Sequence, residues 1–324
     1  MKVAQLDYLH ETGAKKNQED YLWPLPGKAS VGDRIFIVCD GVGGSENGEV
    51  ASRIVAESVG VALSTTPAEE VGLPLINKLL EAARVKLNDF AVLKALRTDM
   101  ATTFTLLQLV GQRAFVAWCG DSRIYHLRKN EILFRSDDHS LVSSLIRKGE
   151  LTEEEAREHP QKNMLLKAIR ADDSRPEAEG KWIDGIQEGD YFLLCTDGLL
   201  ENIRDTDLLY LLHQNELEEV DLGQAFRRYC YGKTRDNYSM YLVRVSPEPV
   251  EEGMTAGKRI RQRIGWLLFL LVILVAAAAF IIRENYLVPP KEINLLIPEN
   301  RNRDSIEMPS VIPAAASAAD TMAQ

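Results

Sequence analysis

Ile35-Phe-Ile-Val-Cys-Asp40-Gly41, Phe115-Val-Ala-Trp-Cys-Gly-Asp121 and Tyr191-Phe-Leu-Leu-Cys-Thr-Asp197-Gly198 share one design. Each is an apolar run, rich in β-branched and aromatic residues, that stops abruptly at an aspartate in a tight turn. An acid has no structural reason to follow a buried strand directly. Strands lying side by side would gather these aspartates at one end of the sheets. Further strands are predicted at 100–110, 123–127 and 238–245. Apolar residues at helical spacing predict two long helices, around 50–59 and 76–91. Long helices after the first strands, then many strands, argue for an α+β layered sandwich rather than a βαβ repeat.

Two more acidic sites flank strands. Lys15-Lys16-Asn17-Gln18-Glu19-Asp20 precedes Tyr21-Leu22-Trp23, and Thr234-Arg235-Asp236-Asn237 precedes the strand at 238. Five or six clustered carboxylates cannot all stay ionised without cations, because like charges raise one another's pKa values. Hard oxygen donors without histidine or thiolate partners suit Mg²⁺ or Mn²⁺. Gly41 and Gly198, each following an aspartate, let the backbone approach closely. The sequence Gly41-Val-Gly-Gly is followed by no Gly-Lys-Ser/Thr, so it is not a nucleotide-binding loop.

With 45% hydrophobic residues in a chain of 324, a core can form without disulfides or structural metal. Cys39, Cys119 and Cys195 lie in apolar runs and read as reduced core residues. The net charge of −10 argues against nucleic-acid partners. Near residue 246 the composition turns to proline, acid and glycine. A folded domain over 1–247 and a linker with a basic juxtamembrane segment over 248–263 are therefore expected.

Residues 264–282, IGWLLFLLVILVAAAAFII, carry no charge and as a helix would span about 28 Å, which predicts one C-terminal transmembrane helix. Lys258, Arg259, Arg261 and Arg263 crowd its N-terminal side, placing the first domain in the cytoplasm of a single-pass protein at the cytoplasmic membrane. The proline-rich tail over 283–324 reads as disordered and extracytoplasmic.

Seven segments in order resemble the type-2C metal-dependent protein phosphatase family, of the bacterial type. They are KKNQED at 15–20, VCDGVGG at 38–44, ATTFTLL at 101–107, GDSRIYHL at 120–127, DHSLVSSLIRKGELTEEEAREHP at 138–160, LLCTDGL at 193–199 and DNYSMYLV at 236–243. The resemblance covers about residues 5–245. It implies a central β-sandwich flanked by helices on both faces. The implied reaction is hydrolysis of phosphoserine and phosphothreonine in proteins by a hydroxide bridging two divalent metals, with no phospho-enzyme. Phosphorylated proteins would be the substrates, with a Ser/Thr kinase in opposition.

Position by position, the resemblance makes Asp40 the bridge between two Mn²⁺ or Mg²⁺ ions, with the Gly41 carbonyl as a further ligand. Glu19 would hold one ion, Asp197 and Asp236 the other, and Asp20 would act through water. Asp121 with Asp197 resembles the pair for a third ion. Lys15 stands where the family usually carries a phosphate-gripping arginine, and lysine lacks the bidentate fork. Val42 stands where animal members carry a histidine. His139 reads as a structural residue of the flap beside the site, and Glu153 to Glu155 as a solvated helix start. The competing expectation is a catalytically inactive relative serving as a membrane-tethered binding module.

Overall fold

The computed structural model describes residues 1–42, 47–95, 100–218, 221–247, 268–269, 271–281 and 283. The chain divides into two units, Met1–Val250 and Glu251–Gln324.

Ten strands of the first unit form two antiparallel sheets. One runs in the order β1 (Lys2–Glu11), β12 (Tyr238–Ser246), β11 (Tyr191–Cys195), β7 (Arg123–Arg128), β8 (Glu131–Arg135). The other runs β10 (Glu179–Ile183), β6 (Arg113–Cys119), β5 (Phe104–Val110), β3 (Ile35–Cys39), β2 (Tyr21–Trp23). Alternation along each strand builds three apolar layers. Phe36 and Val38 of β3 meet Phe192 and Leu194 of β11 and Tyr241 and Val243 of β12 between the sheets.

Ile37 and Cys39 point the other way, onto α1 (Gly48–Ser64) and α2 (Leu73–Leu93), packing with Val55, Val59, Ile76 and Leu80. Leu193 and Cys195 point outward from the first sheet. They meet Leu208 and Leu212 of α6 (Asp205–Glu218) and Phe226 of α7 (Leu222–Cys230). The result is the expected sandwich with helices on both faces. Its inner strands read as unbroken apolar runs because both of their faces are buried.

Three short helices complete the unit: α3 (Leu141–Arg147), α4 (Glu153–Glu158) and α5 (Asp197–Leu200). The glutamates expected at a helix start are there, behind a capping box between Thr152 and Glu155.

One expectation is corrected. The strand predicted over 100–110 is broken into β4 (Ala101–Thr102), paired with β9 (Ile169–Arg170), and β5 from Phe104. The break lies at Thr103, whose backbone and hydroxyl are both engaged by Asp40. All four cysteines are buried free thiols.

In the second unit the described residues 268–269 and 271–281 are helical, and their large apolar side chains, Leu268 and Phe269 among them, are exposed. Among the described residues no helix is long and apolar enough to cross a membrane. The expected span over 264–282 is only partly described. Residues 264–267, 270 and 282 lie outside the described residues, as do the linker from 248 and the tail from 284 onward.

Candidate metal centre

The strands deliver their acids to one place. Cys39 faces the α1–α2 layer, so the period of two turns Asp40 toward the space between the sheets. Thr102 and Thr103 then fix it. The Thr103 hydroxyl accepts from the Asp40 N–H at 2.9 Å, the Thr103 N–H donates to the Asp40 carbonyl at 2.9 Å, and the Thr102 hydroxyl donates to the same carbonyl at 2.8 Å. Gly41 donates its N–H to the Glu19 carbonyl at 3.1 Å, and a Cβ there would lie 2.3 Å from the Gly48 carbonyl oxygen, so the position admits no side chain.

Asp197 opens α5 one residue beyond Thr196. A Cβ at Gly198 would meet the Asn237 carbonyl oxygen at 2.0 Å. That closeness lets the turn after β11 lie against the start of β12, bringing Asp197 beside Asp236. Asp121 follows Gly120 at the end of β6.

Asp20 is buried. One carboxylate oxygen accepts from the Thr196 hydroxyl at 3.0 Å, while Oδ1 has no hydrogen-bond partner. Asn237 ties the N-terminal loop down. Its Oδ1 accepts from the Glu19 N–H at 2.8 Å, and its Nδ2 donates to the carbonyls of Thr12 and Asn17, each at 2.9 Å. The Ser52 hydroxyl of α1 holds the Glu19 carbonyl at 2.6 Å.

Electrostatics report the crowding. Burial, then repulsion from Asp197 and Asp236, pushes the Asp20 carboxyl up to about 7. Burial, with Asp236 next, pushes Asp197 up to about 6. Asp40 is driven well above the carboxylate range by burial and by Asp20, Asp197, Asp121 and Asp236 in turn. Asp121 is driven up by burial, Asp197 and Asp138. The five aspartates expected at the site therefore stand in one another's field, and Glu19 reaches the same cluster through Lys15.

The Lys15 ammonium lies 2.8 Å from Asp236 Oδ1 and 3.5 Å from Glu19 Oε2. Lys15 is more than a third exposed, so each ion pair contributes no more than about 1 kcal/mol and leaves the aspartate repulsion largely unbalanced.

Among the described residues no three of these carboxylates form a preformed metal cage. The donor set nevertheless fits hard divalent ions. It is all oxygen, it carries more negative charge than the protein neutralises, and it includes a buried carboxylate oxygen without a partner.

His139 is structural, as expected. Its Nδ1 accepts from the Gly120 N–H at 3.2 Å and its Nε2 lies 2.9 Å from Glu179, so it pins the turn that carries Asp121. Sequence reasoning assigned no role to Thr102, Thr103, Ser52, Thr196 or Asn237. Thr102 and Thr103 sit in the ATTFTLL segment, where β-branched residues read as strand formers, and Asn237 reads as a turn residue.

The sequence profile of the protein phosphatase 2C family matches residues 10–229. Protein phosphatase PhpP of Streptococcus pneumoniae serotype 2 is 31% identical over 251 residues, 76% of this chain and 100% of PhpP. The crystal structure of a bacterial serine phosphatase superposes with a TM-score of 0.67 at 25% identity, over 76% of this chain and 99% of that one. The catalytic domain of the serine/threonine protein phosphatase PstP, solved in complex with two manganese ions, superposes with a TM-score of 0.62 at 24% identity. It covers 76% of this chain and all of that domain. A shared sandwich, a full-length relative and a profile that spans the acidic strand ends lead to one conclusion: the chain belongs to the protein phosphatase 2C family.

Proposed function

We propose that the chain is a metal-dependent protein-serine/threonine phosphatase that works with Mn²⁺ or Mg²⁺. One observation carries the reading: aspartates from both sheets, Asp40, Asp121, Asp197 and Asp236, converge with Asp20 at one end of the sandwich and repel one another there. Bound at this place, the divalent ions would activate water and offset charge on the phosphoryl oxygens.

The chain's own residues have distinct tasks. Asp40, Asp197 and Asp236, with Glu19 and the Gly41 carbonyl, would hold the ions, Asp20 would support them, and Asp121 with Asp197 would serve a third. The clamp of Thr102 and Thr103 fixes the Asp40 backbone, and Asn237 fixes that of Glu19. Lys15 offers a positive charge to the substrate phosphate. Phosphate release from a phosphothreonine peptide by the full chain should appear with Mn²⁺ and vanish with EDTA. Intact, Mn²⁺-loaded protein that turns over neither several phosphopeptides nor an aryl phosphate would instead be the binding-only relative.

We further propose that residues 264–282 anchor the phosphatase in the cytoplasmic membrane, with residues 1–247 in the cytoplasm, where a Ser/Thr kinase would supply its substrates. What supports this is the charge-free run itself, the basic residues before it, and the apolar side chains exposed along the described residues 268–269 and 271–281. On carbonate extraction of cell membranes the full chain should stay in the pellet. A chain ending at 247 should be released. Release of both would refute the anchor.

A further inference from the structure

Lys15 does not sit at the acidic site by accident of a mobile surface side chain. Its own N–H donates to the Thr12 carbonyl at 3.1 Å, closing a turn, and Asn237 grips that turn through Thr12 and Asn17. Asn237 is the residue after Asp236, so one side chain ties the base of Lys15 to the strand that presents its partner. Gly13 makes the approach possible. Its φ of +60° suits glycine, and a Cβ there would lie 2.0 Å from the Asp236 carbonyl oxygen. From this anchored base the ammonium spans two carboxylates, Asp236 Oδ1 at 2.8 Å and Glu19 Oε2 at 3.5 Å.

We propose that Lys15 is a resident counter-cation that holds Glu19 and Asp236 together in the metal-free enzyme and must be displaced before divalent ions bind. The proposal rests on the reading above that Glu19 and Asp236 are metal-holding residues. A lysine ammonium is a compact point charge with three donors, able to take the place of a small cation between two carboxylates. Metal entry then has to break two ion pairs, which scales apparent metal affinity down to the fraction of molecules in which they are open. Displacement also has a use. An ammonium held by two carboxylates has no charge to spare for an anionic substrate, whereas one displaced by metal is free to meet a phosphate. Metal loading and phosphate recognition become ordered events.

The test is calorimetric titration of Mn²⁺ alone into the purified, EDTA-stripped full chain, with no substrate. Lys15→Met and Lys15→Gln should bind Mn²⁺ roughly three- to tenfold more tightly than wild type, the range expected for loss of two partly exposed pairs. In EDTA both should also melt below wild type, because the carboxylates lose their cation, and Mn²⁺ should raise their melting temperature by more. Lys16→Met, which removes an equal charge one position along, should shift the affinity less than about twofold. Unchanged affinity in both Lys15 variants overturns the proposal. So does equal tightening in Lys16→Met, which would mean that bulk charge alone is at work. Absence of Mn²⁺ binding in every protein, or full binding by Asp236→Asn, would instead refute the assignment of the metal residues and take the proposal with it.

Discussion

Asp197→Asn should lower turnover on a phosphothreonine peptide by at least about a thousandfold, equivalent to about 4 kcal/mol of barrier. The expectation follows from where the residue stands. Asp197 opens the short helix after β11, with Gly198 pressed on the Asn237 carbonyl, and it shares the field of Asp40 and Asp236. A carboxamide keeps the size of the group but not the charge, and a neutral oxygen paired with an N–H₂ is a poor ligand for a hard divalent ion. Remaining acids cannot compensate, because each is fixed to its own strand end.

The same substitution should stabilise the metal-free protein. Removing one of several mutually repelling carboxylates relieves repulsion, so in EDTA the melting temperature should rise by a few degrees. The pairing of lost activity with gained metal-free stability separates a ligand from a residue that merely holds the fold. A variant that loses activity and also melts below wild type in EDTA would count against the assignment.

How much of this was legible depends on which distance the sequence encodes. The inner strands β3, β6 and β11 were readable because both faces are buried, which leaves continuous apolar runs ending at an acid. The edge strand β1 was not. Lys2–Glu11 mixes polar and apolar residues, half of it faces outward, and its pairing with β12 slips between Val3 and Gln5. The acids of the site could be named because each lies within two residues of a strand, Asp40, Asp121 and Asp197 after one and Glu19, Asp20 and Asp236 before one. Their supports could not, since the Thr103 clamp on Asp40, the Thr196 contact to Asp20 and the Asn237 contact to Glu19 join residues far apart in the chain. Nor could the sequence show that Lys15 closes on Asp236, a contact that needs the Gly13 turn packed against the Thr234 and Asp236 carbonyls just before β12.

Supplying metal should offset the fall of stability with rising pH. Asp20 carries the argument, because it is buried and its carboxyl is pushed up to about 7 from an unfolded value near 3.8. Between those values the folded protein keeps a proton at Asp20 that the unfolded chain has released, so the stability Asp20 contributes falls as pH rises and stops falling above about 7. Over that window the loss from Asp20 is on the order of 4 kcal/mol, and Asp197, raised to about 6, adds to it. For a domain of this size that amounts to a drop in melting temperature on the order of ten degrees.

Asp40 and Asp121, driven well above the carboxylate range by burial and by neighbouring aspartates, act in the same direction, whereas Asp190 acts outside the window and two histidines oppose it. Burial would raise Asp190, but hydrogen bonds from Arg128 and His126 outweigh it and hold its carboxyl down at about 2, so it stays ionised above pH 5. His10 and His139, lowered mainly by burial, gain stability as pH rises toward 6.5. Their contribution is the same with and without metal and cancels in a difference. Divalent ions bind the deprotonated acids, so their affinity, and with it the stabilisation they give, grows as pH rises. Melting curves at pH 5.0, 6.0, 7.0 and 7.5, in EDTA and in excess Mn²⁺, should therefore show a gap that widens with pH. A gap that stays constant across this range would mean that the buried aspartates are not the groups the metal neutralises.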